Sequence, residues 1–89
     1  MIRHRQVEAF AAIVRTGSTV AAARNLNTSQ PTVSRLIAQL RDQVGFPLFN
    51  NQSGKLILTY EGKQFFRDVE QFLMTTEELE RRAWQIRNY

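Results

Sequence analysis

At 89 residues the chain is long enough for one small domain, which excludes a multidomain enzyme with a large catalytic cleft. Its 43% hydrophobic and 22% charged residues suit a folding globular chain rather than a disordered one, and without cysteine and with His4 as its only histidine it has no disulfide frame, thiol nucleophile or metal cluster. The net charge of +4 sits entirely in residues 1–45, where six arginines face only Glu8 and Asp42, so this half is the candidate for contact with a polyanion.

The first element is predicted over His4 to Thr16. Val7, Phe10, Ala11 and Val14 recur at i, i+3, i+4 and i+7 with Ile13 beside them, the stripe of an amphipathic helix. The apolar run Ala9 to Val14, flanked by Glu8 and Arg15, is far short of the ~20 residues that cross a bilayer, and the chain reads as cytoplasmic. Gly17 closes the helix in a left-handed conformation and Ser18 caps the next, a short one over Thr19 to Leu26 with Ala22, Ala23 and Leu26 inward. Paired alanines let two helix axes approach closely. Asn27 and Thr28 form the turn.

Thr28 or Ser29 caps a third helix, with Pro31 in its first turn, where the missing N–H has no intrahelical partner to lose. Val33, Ile37, Leu40 and Val44 form its apolar edge; Gln30, Thr32, Ser34, Arg35 and Gln39 lie on other faces. Gly45 ends it. Two short apolar segments, Pro47 to Phe49 and Leu56 to Leu58, flank a polar stretch containing Gly54 and predict a small β-hairpin. Thr59 is then an N-cap, Glu61 suits the positive end of a helix dipole, and no proline interrupts the chain from Tyr60 to Arg87. Such a helix would extend roughly 42 Å, beyond the reach of a three-helix body.

The expected architecture is therefore mainly α: three short helices, the second and third in the form of a helix-turn-helix, and a small β-hairpin over residues 1–59, then a long helix over 60–89. In a helix-turn-helix the second helix of the pair is narrow enough to enter the ~12 Å major groove, and its first turns reach base edges. Backbone N–H groups at helix starts fix register on phosphates, a role for which Ser18 and the Thr28-Ser29 turn are placed.

Val7, Phe10, Ile13, Gly17-Ser18, Ala22-Ala23, Leu26, Ser29-Gln30-Pro31, Ser34, Leu40, Gly45, Leu48-Phe49, Leu58-Thr59 and Gly62 stand in the order and spacing of one family. Over nearly its whole length the chain resembles the N-terminal DNA-binding domain of LysR-type transcriptional regulators. The resemblance implies a winged helix-turn-helix with a three-helix core and a hairpin wing over residues 1–59, a linker helix over 60–89 paired antiparallel with that of a second subunit, a bacterial origin, and full-length tetramers on a short interrupted palindrome of double-stranded DNA. It also implies a small-molecule inducer bound by a C-terminal domain that these residues do not include. No cofactor or metal is implied.

Carried over residue by residue, the resemblance makes Ser29, Gln30, Pro31, Thr32, Ser34 and Arg35 the major-groove face, with Gln39 farther along the same helix. Arg35 is the first choice for a guanine, which a guanidinium grips in two places, and Gln30 for an adenine or a phosphate. Where family wings commonly carry arginines this chain has Asn51 and Gly54, so Lys55 is the wing's remaining cation. Arg41, where the family usually has an acid, reads as solvated.

In the last helix Phe65, Val69, Phe72, Thr76, Leu79, Ala83 and Ile86 step alternately by four and three residues, with Leu73 beside them. That heptad-like seam predicts a homodimer. Glu77 and Glu78 are placed to pair with Arg81 and Arg82 at i+4 rather than to act as catalytic carboxylates. The rival from another class is a helical protein-interaction module built on this seam. An enzyme is disfavoured, because the sequence offers no nucleophile with its base, no metal cluster and no glycine-rich phosphate loop.

Overall fold

The computed structural model describes all 89 residues. In chain order it has α1 (His4–Thr16), α2 (Thr19–Asn25), α3 (Gln30–Val44), β1 (Phe49–Gln52), β2 (Lys55–Leu58) and α4 (Tyr60–Arg87). The first, third and last helices have the expected bounds. Helix α2 ends one residue earlier, with Leu26 as its C-cap and Asn27 in a left-handed conformation (φ 55°) that turns the chain toward α3. Gly17 and Gly45 take the left-handed conformation that closes α1 and α3.

The strands pair antiparallel from Phe49 opposite Leu58 to Gln52 opposite Lys55. Ser53 and Gly54, both at positive φ, form a two-residue tip of the kind that matches strand twist. The polar residues Asn50 to Gln52 therefore belong to a strand. Backbone pairing, which is indifferent to side-chain polarity, holds them there.

Two buried clusters organise the domain. Phe10 centres the first, with Val7 and Ala11 from α1, Leu40 from α3, Leu48, and Val69 and Leu73 from α4; the Phe10 ring meets Phe49, Phe65 and Phe66 at centroid distances of 5.5, 5.6 and 5.9 Å. The second joins Ala9, Ala12 and Ile13 of α1 to Ala22 and Ala23 of α2 and Val33 of α3. Its alanines bring the three helices together and fix the angle at which α3 leaves the bundle.

Helix α4 is docked at its start. Thr59 Oγ1 accepts from the Gly62 N–H (2.9 Å) and donates to the Pro47 carbonyl (2.6 Å), while the Thr59 N–H donates to the Leu48 carbonyl (3.1 Å). From Glu77 onward every residue is exposed, and the molecule reaches 51 Å along its longest axis. No helix is long and apolar enough to cross a membrane.

This docking covers part of the apolar stripe of α4 within the protomer. Val69 and Leu73 are buried in the protomer's own core, and Phe65 packs against it half-buried. The first turns of α4 lie along α1, so the apolar stripe faces inward there and emerges only farther out. Phe72, Leu79, Ala83 and Ile86 remain exposed, with Thr76 half-buried between them. On the same stretch Arg81 pairs with Glu78, three residues before it, rather than with Glu77.

Candidate nucleic-acid interface

Helix α3 turns its apolar edge, Val33 and Leu40 with Ile37 and Val44 beside them, into the bundle, and its opposite side faces outward. Ser29 caps it: its Oγ accepts from the Thr32 N–H (3.3 Å) and lies 2.8 Å from the Thr32 hydroxyl. Ser18 caps α2 in the same way through the Ala21 N–H (3.0 Å). Each hydroxyl thus satisfies a helix-start donor while sitting at the rim of the outward surface.

Two polar edges run along α3. One steps from Gln30 to Ser34 to Arg41, beside a shallow cleft that Thr19, Ser34, Ala38 and Arg41 share with Phe49 and Leu56 of the hairpin. Here Gln30 Nε2 is 2.8 Å from Ser34 Oγ and 3.3 Å from Thr19 Oγ1, so the Gln30 amide is held between two helices. The other edge steps through Thr32, Arg35 and Gln39 at i, i+3 and i+7, and Gln39 meets Gln6 near the start of α1 (3.2 Å). Exposed Pro31 stands between the two edges in the first turn.

Arg35 is exposed and pairs with no carboxylate of the chain. Its guanidinium charge is uncompensated, with the hydroxyls of Thr32 and Ser34 and the amide of Gln39 on the same outward side of the helix. Arg41, by contrast, lies 3.4 Å from Asp42, both well exposed. The structure brings Ser18, Thr28, Ser29, Gln30, Pro31, Thr32, Ser34, Arg35 and Gln39 onto α2, the turn and α3 as one region; Thr28 is half-buried there, its N–H donating to the Ala23 carbonyl (2.9 Å). Lys55 opens β2 beside the tip, exposed among Asn50, Asn51, Gln52 and Ser53.

Three residues in this region escaped the sequence reading. Thr19 contacts Gln30 across eleven residues of chain, a proximity no local pattern announces. Arg5 Nη2 donates to the Leu26 carbonyl (3.1 Å) and so closes the end of α2, with Glu8 3.8 Å away. Gln6 is buried and bonded to Gln39. Its signal was legible: Gln6 extends the stripe of Phe10 and Ile13 by i−4 and i−7, a polar residue on an apolar face.

Residues 4–63 match the family described as bacterial regulatory helix-turn-helix protein, lysR family. The HTH-type transcriptional regulator DgcR of Pseudoalteromonas sp. is 36% identical over 86 residues, covering 97% of this chain and 30% of the relative, so the chain spans about a third of its length. Two solved structures superpose closely at 28% identity. The complex of the BenM DBD with benA site 1 DNA has a TM-score of 0.85 and covers 92% of each chain. The CbnR DBD complex with DNA has a TM-score of 0.83, covering 91% of this chain and 93% of that one. With the hairpin beside α3, the capped helix pair and this match over residues 4–63, the chain belongs to the lysR family of bacterial regulatory helix-turn-helix proteins.

Proposed function

We propose that this domain binds double-stranded DNA in a sequence-specific manner for a bacterial transcriptional regulator, with α3 as the recognition helix in the major groove. The observation that carries the reading is the outward side of α3, where uncompensated Arg35 stands beside the braced amide of Gln30. A bidentate arginine on guanine discriminates by about 1–3 kcal/mol, and hydroxyls and helix starts around it hold phosphates. That the similar BenM and CbnR domains are in complex with DNA supports DNA as the partner.

A homodimer presents two such helices to successive major grooves on one face of the duplex. Its interface is the exposed stretch of the α4 seam, Phe72, Thr76, Leu79, Ala83 and Ile86, an apolar stripe that would otherwise stay in water. The whole regulator is cytoplasmic, assembles as a tetramer and takes its small-molecule inducer in a C-terminal domain. The wing acts through Lys55 and its amides rather than through arginines.

Selection of binding sites from random duplex DNA at near-physiological salt tests this directly. Enriched sites should be two-fold related, with half-site centres ~34 Å apart or at a multiple of it, and affinity should fall steeply with salt. Absence of enrichment, or binding that ignores sequence, refutes the reading.

A further inference from the structure

Apart from Thr59, Gln6 is the one buried polar side chain, 2% exposed, and its two bonds have a fixed sense. The Arg3 backbone N–H lies 2.9 Å from one end of the Gln6 amide. A backbone N–H only donates, so that end is the carbonyl Oε1. The other end is then Nε2, which also only donates, and the Gln39 atom 3.2 Å from it must be the acceptor Oε1. One polarity thus passes from the start of α1 to the surface of α3. Gln39, exposed on the edge it shares with Thr32 and Arg35, is left with its two Nε2 hydrogens as the outward end.

We infer that Gln6 is a positioning residue for DNA contact: through Gln39 Oε1 it holds the Gln39 amide with its N–H2 group facing out, the sense that donates to a backbone phosphate. Phosphate oxygens offer only lone pairs, so a Gln39 turned the other way would set oxygen against oxygen. A freely rotating surface glutamine would lose entropy on choosing this sense, whereas one already chosen by a buried neighbour loses less. The contact is neutral and sequence-blind; it sets register on the duplex and leaves base readout to Arg35 and Gln30. This inference rests on the DNA-binding reading above.

The test is a double-mutant cycle on duplex DNA with Gln6→Met, close in volume and unable to donate, and Gln39→Ala. Gln39→Ala should weaken binding about fivefold on cognate and non-cognate duplexes alike, with the salt slope unchanged, because a neutral amide displaces no counterion. Gln6→Met should weaken it about two- to fivefold, and should cost nothing further once residue 39 is alanine. Gln39→Lys should restore binding in the Gln6→Met background, since an ammonium donates in every orientation. A fold-independent readout uses the unaltered protein: by NMR the Gln6 side-chain N–H2 should exchange slowly in the free domain and the Gln39 N–H2 only once DNA is added. Wild-type binding by Gln39→Ala, an equal Gln6→Met loss in both backgrounds, or a protected Gln39 N–H2 without DNA overturns the inference. Failure of the unaltered domain to bind any duplex instead overturns the reading beneath it.

Discussion

Gly62→Ala separates helix propensity from tertiary fit at the joint between the wing and α4. In an isolated helix this change is favourable by about 1 kcal/mol. Here a Cβ would lie 2.4 Å from the Leu48 carbonyl oxygen and 3.0 Å from Thr59 Oγ1, against 3.4 Å or more for ordinary contact. The obstacle is backbone, so the start of α4 and the Pro47-Leu48 segment must part by about 1 Å, an overpacking cost of roughly 1–3 kcal/mol. That movement breaks the bonds from Thr59 to the Pro47 and Leu48 carbonyls, each contributing about 1 kcal/mol. The net expectation is a loss of about 2–4 kcal/mol, or ~10–30 °C in Tm for a domain of this size. Far-UV circular dichroism during thermal and urea unfolding measures it. Gly45→Ala is the comparison: nothing lies within 4 Å of its Cβ, and only its positive φ (81°) opposes the change, at about 1 kcal/mol. A Gly62→Ala domain that melts at or above the wild-type temperature would refute the close-approach argument.

Other substitutions address the proposed interface. Arg35→Ala should weaken cognate DNA binding by about 1–3 kcal/mol and non-cognate binding much less; equal losses on both, with the salt slope reduced by about one unit, would reassign Arg35 to a phosphate. Ser29→Ala should lower stability by about 1 kcal/mol through loss of the α3 cap, seen as a lower urea midpoint at unchanged m value; an unchanged midpoint would mean that the cap contributes nothing. Leu79→Glu combined with Ile86→Glu alters side chains exposed in the protomer, so the melting curve of a dilute sample should hold while sedimentation equilibrium shifts from dimer to monomer. A dimer that survives both changes would remove the distal α4 stripe from the proposed interface.

The elements themselves were legible because their causes are local. Apolar residues at helical spacing, Gly17 and Gly45 at helix ends, hydroxyls at caps and an unbroken run after Thr59 each act within a turn or two of chain. The order and spacing of those signals, joined to a resemblance over nearly the whole chain, pointed to the winged helix-turn-helix and to the family that residues 4–63 match. Which side of α3 faces outward followed from the same periodicity, and Arg35 and Gln30 lie there.

Tertiary structure decided what pattern alone leaves degenerate. A stripe at steps of three and four states that a surface is to be covered and not by what, so Val69 and Leu73 looked like the rest of the seam until α4 was laid along α1. Partnerships between residues far apart in sequence depend on helix crossing angles, which the alanine cluster sets: Thr19 with Gln30, Arg5 with the end of α2, Gln6 with Gln39. Local sequence therefore determined which faces exist and what they display, through short-range sterics and hydrogen bonding. The packing of the whole domain determined which faces meet and how the polar groups at their borders are oriented, because only there do distant side chains come within bonding distance.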